Sequence, residues 1–197
     1  MANVGVRYAK WAPVTDEPSA SVPQYGDVIA LPGLVSVQDT PNYNSVKQYG
    51  DDKTMNHLDG FKDCTLACEV TEMAVASAAK LYGETFTPGE TSSPGTKTSK
   101  ATDNAPYGGF GFIRCTYTDA SGRGYIGVYY PKVKATKGGH TYTTEGETIA
   151  FAGDQFTLTA EACKNDVWVE ESEPFTAESS AQAWVDAHVK KYVAQSP

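Results

Sequence analysis

The sequence predicts an α+β domain, mainly antiparallel sheet with helices packed on it, and three observations carry that expectation. Residues 64–70 alternate without a break, with Cys64, Leu66, Cys68 and Val70 facing one way and Asp63, Thr65, Ala67 and Glu69 the other. Residues 105–133 contain two aromatic and β-branched runs joined by Asp119-Ala120-Ser121-Gly122, the pattern of a hairpin. Helical periodicity is confined to two segments, 71–82 and 178–193. The hairpin sets the packing problem. Phe110 and Phe112 oppose Ile113 and Cys115, and Tyr125 and Tyr129 oppose Ile126 and Val128, so both faces are apolar and both need cover from a second layer or another subunit.

In chain order, residues 6–11 and 28–31 read as short strands separated by a Pro-, Ser- and Asp-rich turn region. Residues 34–40 alternate as another strand, Pro41-Asn42 marks a turn or bend, and 43–49 form a more polar strand candidate. Gly50 to Gly60 is polar and almost free of core residues, and 42–60 as a whole reads as an extended loop. In the helix over 71–82, Met73, Ala74, Ser77, Ala78 and Leu81 share one face, Thr71 suits the cap and Gly83 the stop. Residues 84–104 hold Phe86 as their only large apolar group among Pro, Gly, Ser and Thr, the composition of a flexible surface loop.

After the opening hairpin come Gly138-Gly139-His140, residues 141–144 and the turn Glu145-Gly146-Glu147. Residues 154–163 alternate around Phe156, Leu158 and Ala160, and Lys164-Asn165-Asp166 predicts a second hairpin into Val167-Trp168-Val169. The closing helix, 178–193, carries Ala181, Trp184, Val185, Val189 and Tyr192 on one stripe with His188 between them. The expected count is eight to ten strands and two helices in a single domain over 1–197.

Composition narrows the function classes. The net charge is −8, and each half carries twelve acids against eight bases, so no half is a charged tail. A nucleic-acid reader normally shows a basic stripe, and none is present. The same acidity suits a protein that lets DNA pass without holding it. No apolar run is long enough to span a membrane, and residues 1–11 lack the continuous apolar stretch of a signal peptide, so the expected compartment is the cytoplasm. The four cysteines fit a reducing environment: Cys64 and Cys68 stand about 13 Å apart at strand rise, and a Cys115–Cys163 bridge is the minor alternative to free thiols.

Candidate chemistry is sparse. Gly108-Gly109-Phe110-Gly111 runs into a strand and lacks phosphate-loop spacing, which leaves close packing or a bulge as its reading. Asp51-Asp52 and His57 lack a second His at ligand spacing, so solvated or interface charges are the expected role. His57, His140 and His188 come from unrelated settings, and Glu170, Glu171 and Glu173 form an acidic rim. The expectation is no enzyme, no metal and no cofactor.

An ordered series of segments over the last two-thirds of the chain resembles the major tail protein (tail tube protein) family of long, non-contractile-tailed bacteriophages of Gram-positive hosts. The series begins with Tyr49-Gly50-Asp51-Asp52, the alternating strand 64–70 and the helix ending Leu81-Tyr82-Gly83. Asn104-Ala105-Pro106-Tyr107 then leads into Gly109-Phe110-Gly111-Phe112, followed by the most specific stretch, Tyr129-Tyr130-Pro131-Lys132-Val133-Lys134. Thr144-Glu145-Gly146-Glu147-Thr148, the strand 155–160, Trp168 and Ala183-Trp184 complete it.

The resemblance implies two packed antiparallel sheets, sandwich- or barrel-like, flanked by a short helix. It further implies a structural virion protein that assembles into stacked hexameric rings whose lumen passes double-stranded DNA and first houses a tape measure protein. Tail terminator and distal tail or baseplate proteins would adjoin the tube, placing the protein in the virion tail after assembly in the host cytoplasm. Tyr43, Tyr49, Asp51, Asp52, Met55 and Leu58 are the candidate contacts between rings or subunits. Two alternatives stand beside this: a terminator or distal ring protein, and a monomeric carbohydrate-binding β-sandwich.

Overall fold

The computed structural model describes residues 2–19, 21–50, 53–90, 93–120, 122–139 and 153–192. Its order begins with β1 (Ala2–Asp16), β2 (Gln24–Tyr25), β3 (Ile29–Leu31), β4 (Leu34–Gly50), β5 (Lys53–Val70) and α1 (Val75–Tyr82). It continues with β6 (Thr85–Thr87), β7 (Thr96–Thr98), β8 (Tyr107–Thr118), β9 (Gly122–Thr136), β10 (Asp154–Ala160), β11 (Glu170–Glu171) and α2 (Glu178–His188). The fold is α+β and mainly β. A nine-stranded antiparallel sheet runs β2-β1-β8-β9-β10-β5-β4, with β3 added to β1 and β11 to β9, and β6 and β7 form a small second sheet.

The large sheet is one curled layer. Its far strands, β1 and β4, lie in contact without a hydrogen-bonded ladder among the described residues, so the barrel stops one seam short of closure. The interior is filled by Trp11, Leu66, Val70, Phe110, Phe112, Val128, Val133, Phe156 and Leu158, and α1 adds Ala78, Leu81 and Tyr82 to the same core. The alternation over 64–70 therefore has its expected meaning: Cys64, Leu66, Cys68 and Val70 are buried, and their neighbours point out.

The β8–β9 hairpin has apolar groups on both faces because both faces are covered within this chain. Phe110, Phe112, Ile126, Val128 and Tyr130 enter the main core. On the other side Ile113 and Cys115 meet Ala181 and Val185 of α2, and Tyr129 packs with Ala12, Tyr25 and Val189. The glycine-rich start of β8 permits that approach. A Cβ at Gly108 or Gly109 would run into the ring of Trp11 or Tyr25, and a bulge falls between Gly108 and Phe110.

Opposite the core, the outward face of β4, β5, β10 and β9 carries two cross-strand rows. One runs Thr40, Thr65, Thr159, Lys134, and the next Gln38, Ala67, Thr157, Thr136. The buried residues of both helices pack elsewhere, α1 in the interior and α2 on β8–β9.

Several expectations need correction. The chain does not turn at Pro41. β4 runs straight through it, with Pro41 opposite Cys64 and a bulge between Asn42 and Tyr43, because an edge strand can do without a proline's missing N–H. The first helix starts at Val75 and has no side-chain cap, since the Met73 N–H is held by Asp154 Oδ2 at 2.7 Å and the Thr71 N–H by the Gly33 carbonyl at 2.8 Å. Its stop is as expected, with Gly83 in the left-handed region (φ 68°), where Gly83 and Glu84 N–H groups bond back to Lys80 and Ala79 carbonyls.

The last helix ends at His188; Tyr192 instead donates its N–H to the Tyr25 carbonyl at 2.9 Å, and residue 193 lies outside the described residues. The turn at Lys164-Asn165-Asp166 forms, with the Cys163 N–H on the Val167 carbonyl at 2.9 Å, but among the described residues 167–169 add no strand ladder beyond it. Asp166 turns at φ 63°, and the chain crosses to lay β11 against Val128 and Tyr129, on the edge of β9 that β10 leaves unpaired. The segment 84–104 holds the β6–β7 hairpin. All four cysteines are free and buried. Expectations for 140–152, including His140 and Glu145-Gly146-Glu147, fall outside the described residues.

Candidate interaction surface

β4 and β5 are the longest strands, and only part of each belongs to the body. β10 accompanies β5 from Val70 to Cys64, and beyond Cys64 the two strands have no other ladder partner among the described residues. From Asn42 to Gly50, paired back to Lys53, they form a two-stranded ribbon about 30 Å long at strand rise. Such ribbons are marginal in water without further packing. The stretch expected to be an extended loop is thus an arm with a defined register.

The base of the arm is fixed. Asn42 Nδ2 donates to Asp63 Oδ1 at 2.6 Å. Tyr43 stands edge-on to its cross-strand partner Phe61, with ring centroids 6.0 Å apart, and Phe61 stacks on Trp168 at 4.5 Å. Past this clamp the packing ends. Val46 and Leu58 face each other across the ribbon and are 67% and 74% exposed, while Tyr43 is 57% exposed. Burying a side chain of that kind contributes roughly 1.5–3 kcal/mol, so the pair is a large unsatisfied gain on a surface that the domain itself does not cover.

Of the six residues expected to make contacts, Tyr43 and Leu58 stand on this exposed ribbon. Tyr49 lies in β4 opposite Thr54 and Met55 lies in β5, both near the arm's tip, with side chains outside the described set. Asp51 and Asp52 fall outside the described residues. Val46 was missing from that set. Its register with Leu58 becomes visible only once 43–50 and 53–61 are recognised as one hairpin.

The arm also brings Ser45, His57 and Asp59 together. Ser45 Oγ lies 2.5 Å and Asp59 Oδ1 3.1 Å from the same nitrogen, His57 Nε2. A nucleophile–base–acid relay uses the two different ring nitrogens. Here both partners converge on one, in an exposed site, which makes a surface link worth at most about 1 kcal/mol. Among the described residues no group of three or more His, Cys, Asp or Glu side chains is placed to hold a metal ion.

A second feature is the seam between β1 and β4, a groove of about 300 Å³. Phe112, Val128 and Tyr130 line it together with Arg114, whose guanidinium donates to Glu171 at 2.8 Å. Burial raises the Tyr130 phenol well above the ordinary tyrosine range, with Asp39 adding to the effect, so it stays neutral. The rest of its lining, including Val35, Ser36, Val37 and Asp39 of β4 and Asn3, Gly5 and Val6 of β1, is that of two strand edges.

The rest of the polar architecture serves the body. Tyr8 sits at positive φ (59°) in a β1 bulge between Arg7 and Lys10, and its hydroxyl donates to Asp186 Oδ2 at 2.9 Å. Lys10 donates to the same carboxylate, and Arg7 pairs with Glu178 at 2.8 Å. These contacts strap α2 across β1. His188 is a satisfied histidine, with Nδ1–H on the Trp184 carbonyl at 2.7 Å and Nε2 3.4 Å from Glu170. Among the described residues no helix is long and apolar enough to cross a membrane.

No protein-family model matches this chain, and no curated protein matches it.

Proposed function

We propose that this chain is a structural tail tube protein, which self-assembles into stacked hexameric rings whose lumen conducts phage DNA. The observation that carries the reading is the projecting β4–β5 ribbon, with Tyr43, Val46 and Leu58 exposed beyond the reach of the domain. A lone ribbon that presents this much apolar surface needs an acceptor, and an adjoining copy supplies one in a stacked assembly. The sheet offers a second means of growth. Beyond the seam with β1, the arm portion of β4 pairs only with β5 among the described residues, and ring closure covers such edges. In this reading the tape measure protein occupies the lumen before DNA, terminator and distal tail proteins cap the ends, and the protein resides in the virion tail.

Electron microscopy of the purified protein tests the proposal. Long tubes are the expected result. Isolated rings would favour a terminator or distal tail component, and monomers at high concentration would reject assembly. The exposed Tyr43 ring favours the carbohydrate-binding alternative. Against it, Phe61 and Trp168 are stacked on each other, so those two faces are not offered to a sugar.

A further inference from the structure

Two strand edges meet at the seam without a ladder between them. Among the described residues β1 pairs from Asn3 to Val6 with β8 alone, since β3 and β2 join it only from Ala9 onward. From Leu34 to Thr40, β4 pairs with β5 alone. A bulge between Leu34 and Ser36 bounds this stretch at one end and Pro41 at the other. Between those limits it holds neither lysine nor proline, the residues that commonly blunt an edge, and Val35 is 51% exposed. The edge offers about 17–20 Å, the length of an ordinary strand. Below it lies the groove of about 300 Å³, floored by Phe112, Val128 and Tyr130. Val37 and Asp39 stand opposite Cys68 and Leu66, both buried, so they share the core-side face of β4.

We propose that this groove is a strand-addition site for an extended segment of another protein, which pairs along the β4 edge and sets apolar side chains and one lysine or arginine, at alternate positions, into the groove. Main-chain hydrogen bonds to the edge hold such a segment, and the side chains that enter the groove select it. Charge identifies the occupant. The lining carries one guanidinium, Arg114, against two carboxylates, Asp39 and Glu171. Arg114 is committed to Glu171 at 2.8 Å, whereas Asp39 has no ion pair among the described residues. A basic residue on the groove face answers that carboxylate. A second copy of this chain is a poorer match, since its net charge is −8 and both halves carry the excess of acid. A small amine would meet Asp39 and leave the strand edge unused.

The probe is a fluorescein-labelled hexapeptide amide, Val-Thr-Val-Thr-Lys-Thr, whose valines and lysine share one face, together with its reversed sequence, titrated with the full chain by fluorescence anisotropy. Saturable binding of one of the two is the expected result, and replacing its lysine by glutamate should weaken it about ten-fold or more. Asp39→Asn should bring the lysine and glutamate peptides together. Val35→Arg, at an exposed position of the groove wall, should abolish binding with the circular dichroism spectrum unchanged. Failure of both peptides to saturate at millimolar concentration would overturn the proposal, as would binding indifferent to Val35→Arg.

A second measurement needs no protein variant. Along a strand the N–H groups of alternate residues point to opposite sides, so N-methylation of one alternate set should abolish binding and of the other set should spare it. The same response to both sets would reject pairing along the edge. Affinity that holds as the protein concentration is raised is expected. Affinity that falls as the protein self-associates would make a second copy the native occupant, and would overturn the proposal while leaving the tube assignment standing.

Discussion

At Gly127 the sheet and the last helix come so close that an added Cβ would fall on the Trp184 ring. Gly127→Ala should therefore lever α2 away and lower stability by about 1–3 kcal/mol, read as the shift in a urea unfolding midpoint. Gly60→Ala, where nothing lies within 4 Å, should be near neutral in the same measurement. A similar contrast separates buried from exposed apolar positions. Leu158 stands in the main core opposite Leu66, so Leu158→Asp should leave no folded protein, by circular dichroism, because it buries an unpaired charge. Leu58→Asp should leave the fold and its unfolding midpoint unchanged and abolish polymerisation. Tyr25 and Tyr129 form a third kind of site. Tyr25 gives its only proton to the Pro131 carbonyl at 2.7 Å, so the hydrogen bond between the two hydroxyls has Tyr129 as donor. Tyr25→Phe strands both partners and should cost about 1–3 kcal/mol.

Among the elements, the β6–β7 hairpin hangs on one carboxylate. Burial by itself would raise the Glu84 pKa, but hydrogen bonds from Lys137, Ser99 and Lys97 outweigh it and hold the group at about 2, below its ordinary 4.5. A depressed carboxylate stabilises the fold fully above its unfolded pKa, and that contribution is lost as pH falls from about 4.5 toward 2. Amide exchange in β6 and β7 should therefore quicken across that window, and Glu84→Gln should flatten the dependence. This hairpin was invisible in the sequence because three-residue strands, Thr-Phe-Thr and Thr-Lys-Thr, are too short for alternation to show. The strand 64–70 was legible for the opposite reason: one face is wholly buried, so composition and geometry coincide. The arm lies between these cases. Both of its faces meet solvent, so polar and apolar residues need not separate, and 42–60 reads as a loop although its described residues form a ladder interrupted only by bulges. The start of α1 was misread because Asp154, some eighty residues on, captures Met73 before the helix begins, and no local signal announces a tertiary partner.

For the whole molecule, deleting residues 44–58 should leave a folded domain with the midpoint of the wild type and no tubes under the microscope. That outcome would separate the curled sheet, which folds for itself, from the ribbon, which in the proposed tube gains its packing from another copy. The mainly β class was legible because alternation dominates the chain. The single curled sheet was not, because sheet order depends on which distant edges meet. β1 is the example. Every rung of its ladder to β8 joins residues about a hundred positions apart, as in Ala2 with Tyr117 and Pro13 with Gly108. On the ribosome the amino-terminal strand therefore has only the short β2 and β3 to pair with until more than half of the chain has emerged, and the strap from α2 arrives last of all. A truncated chain lacking α2 would leave Ile113, Cys115 and Tyr129 bare and be drawn into degradation or aggregates. Only a chain that includes α2 covers that face, so the body becomes complete at the end of synthesis.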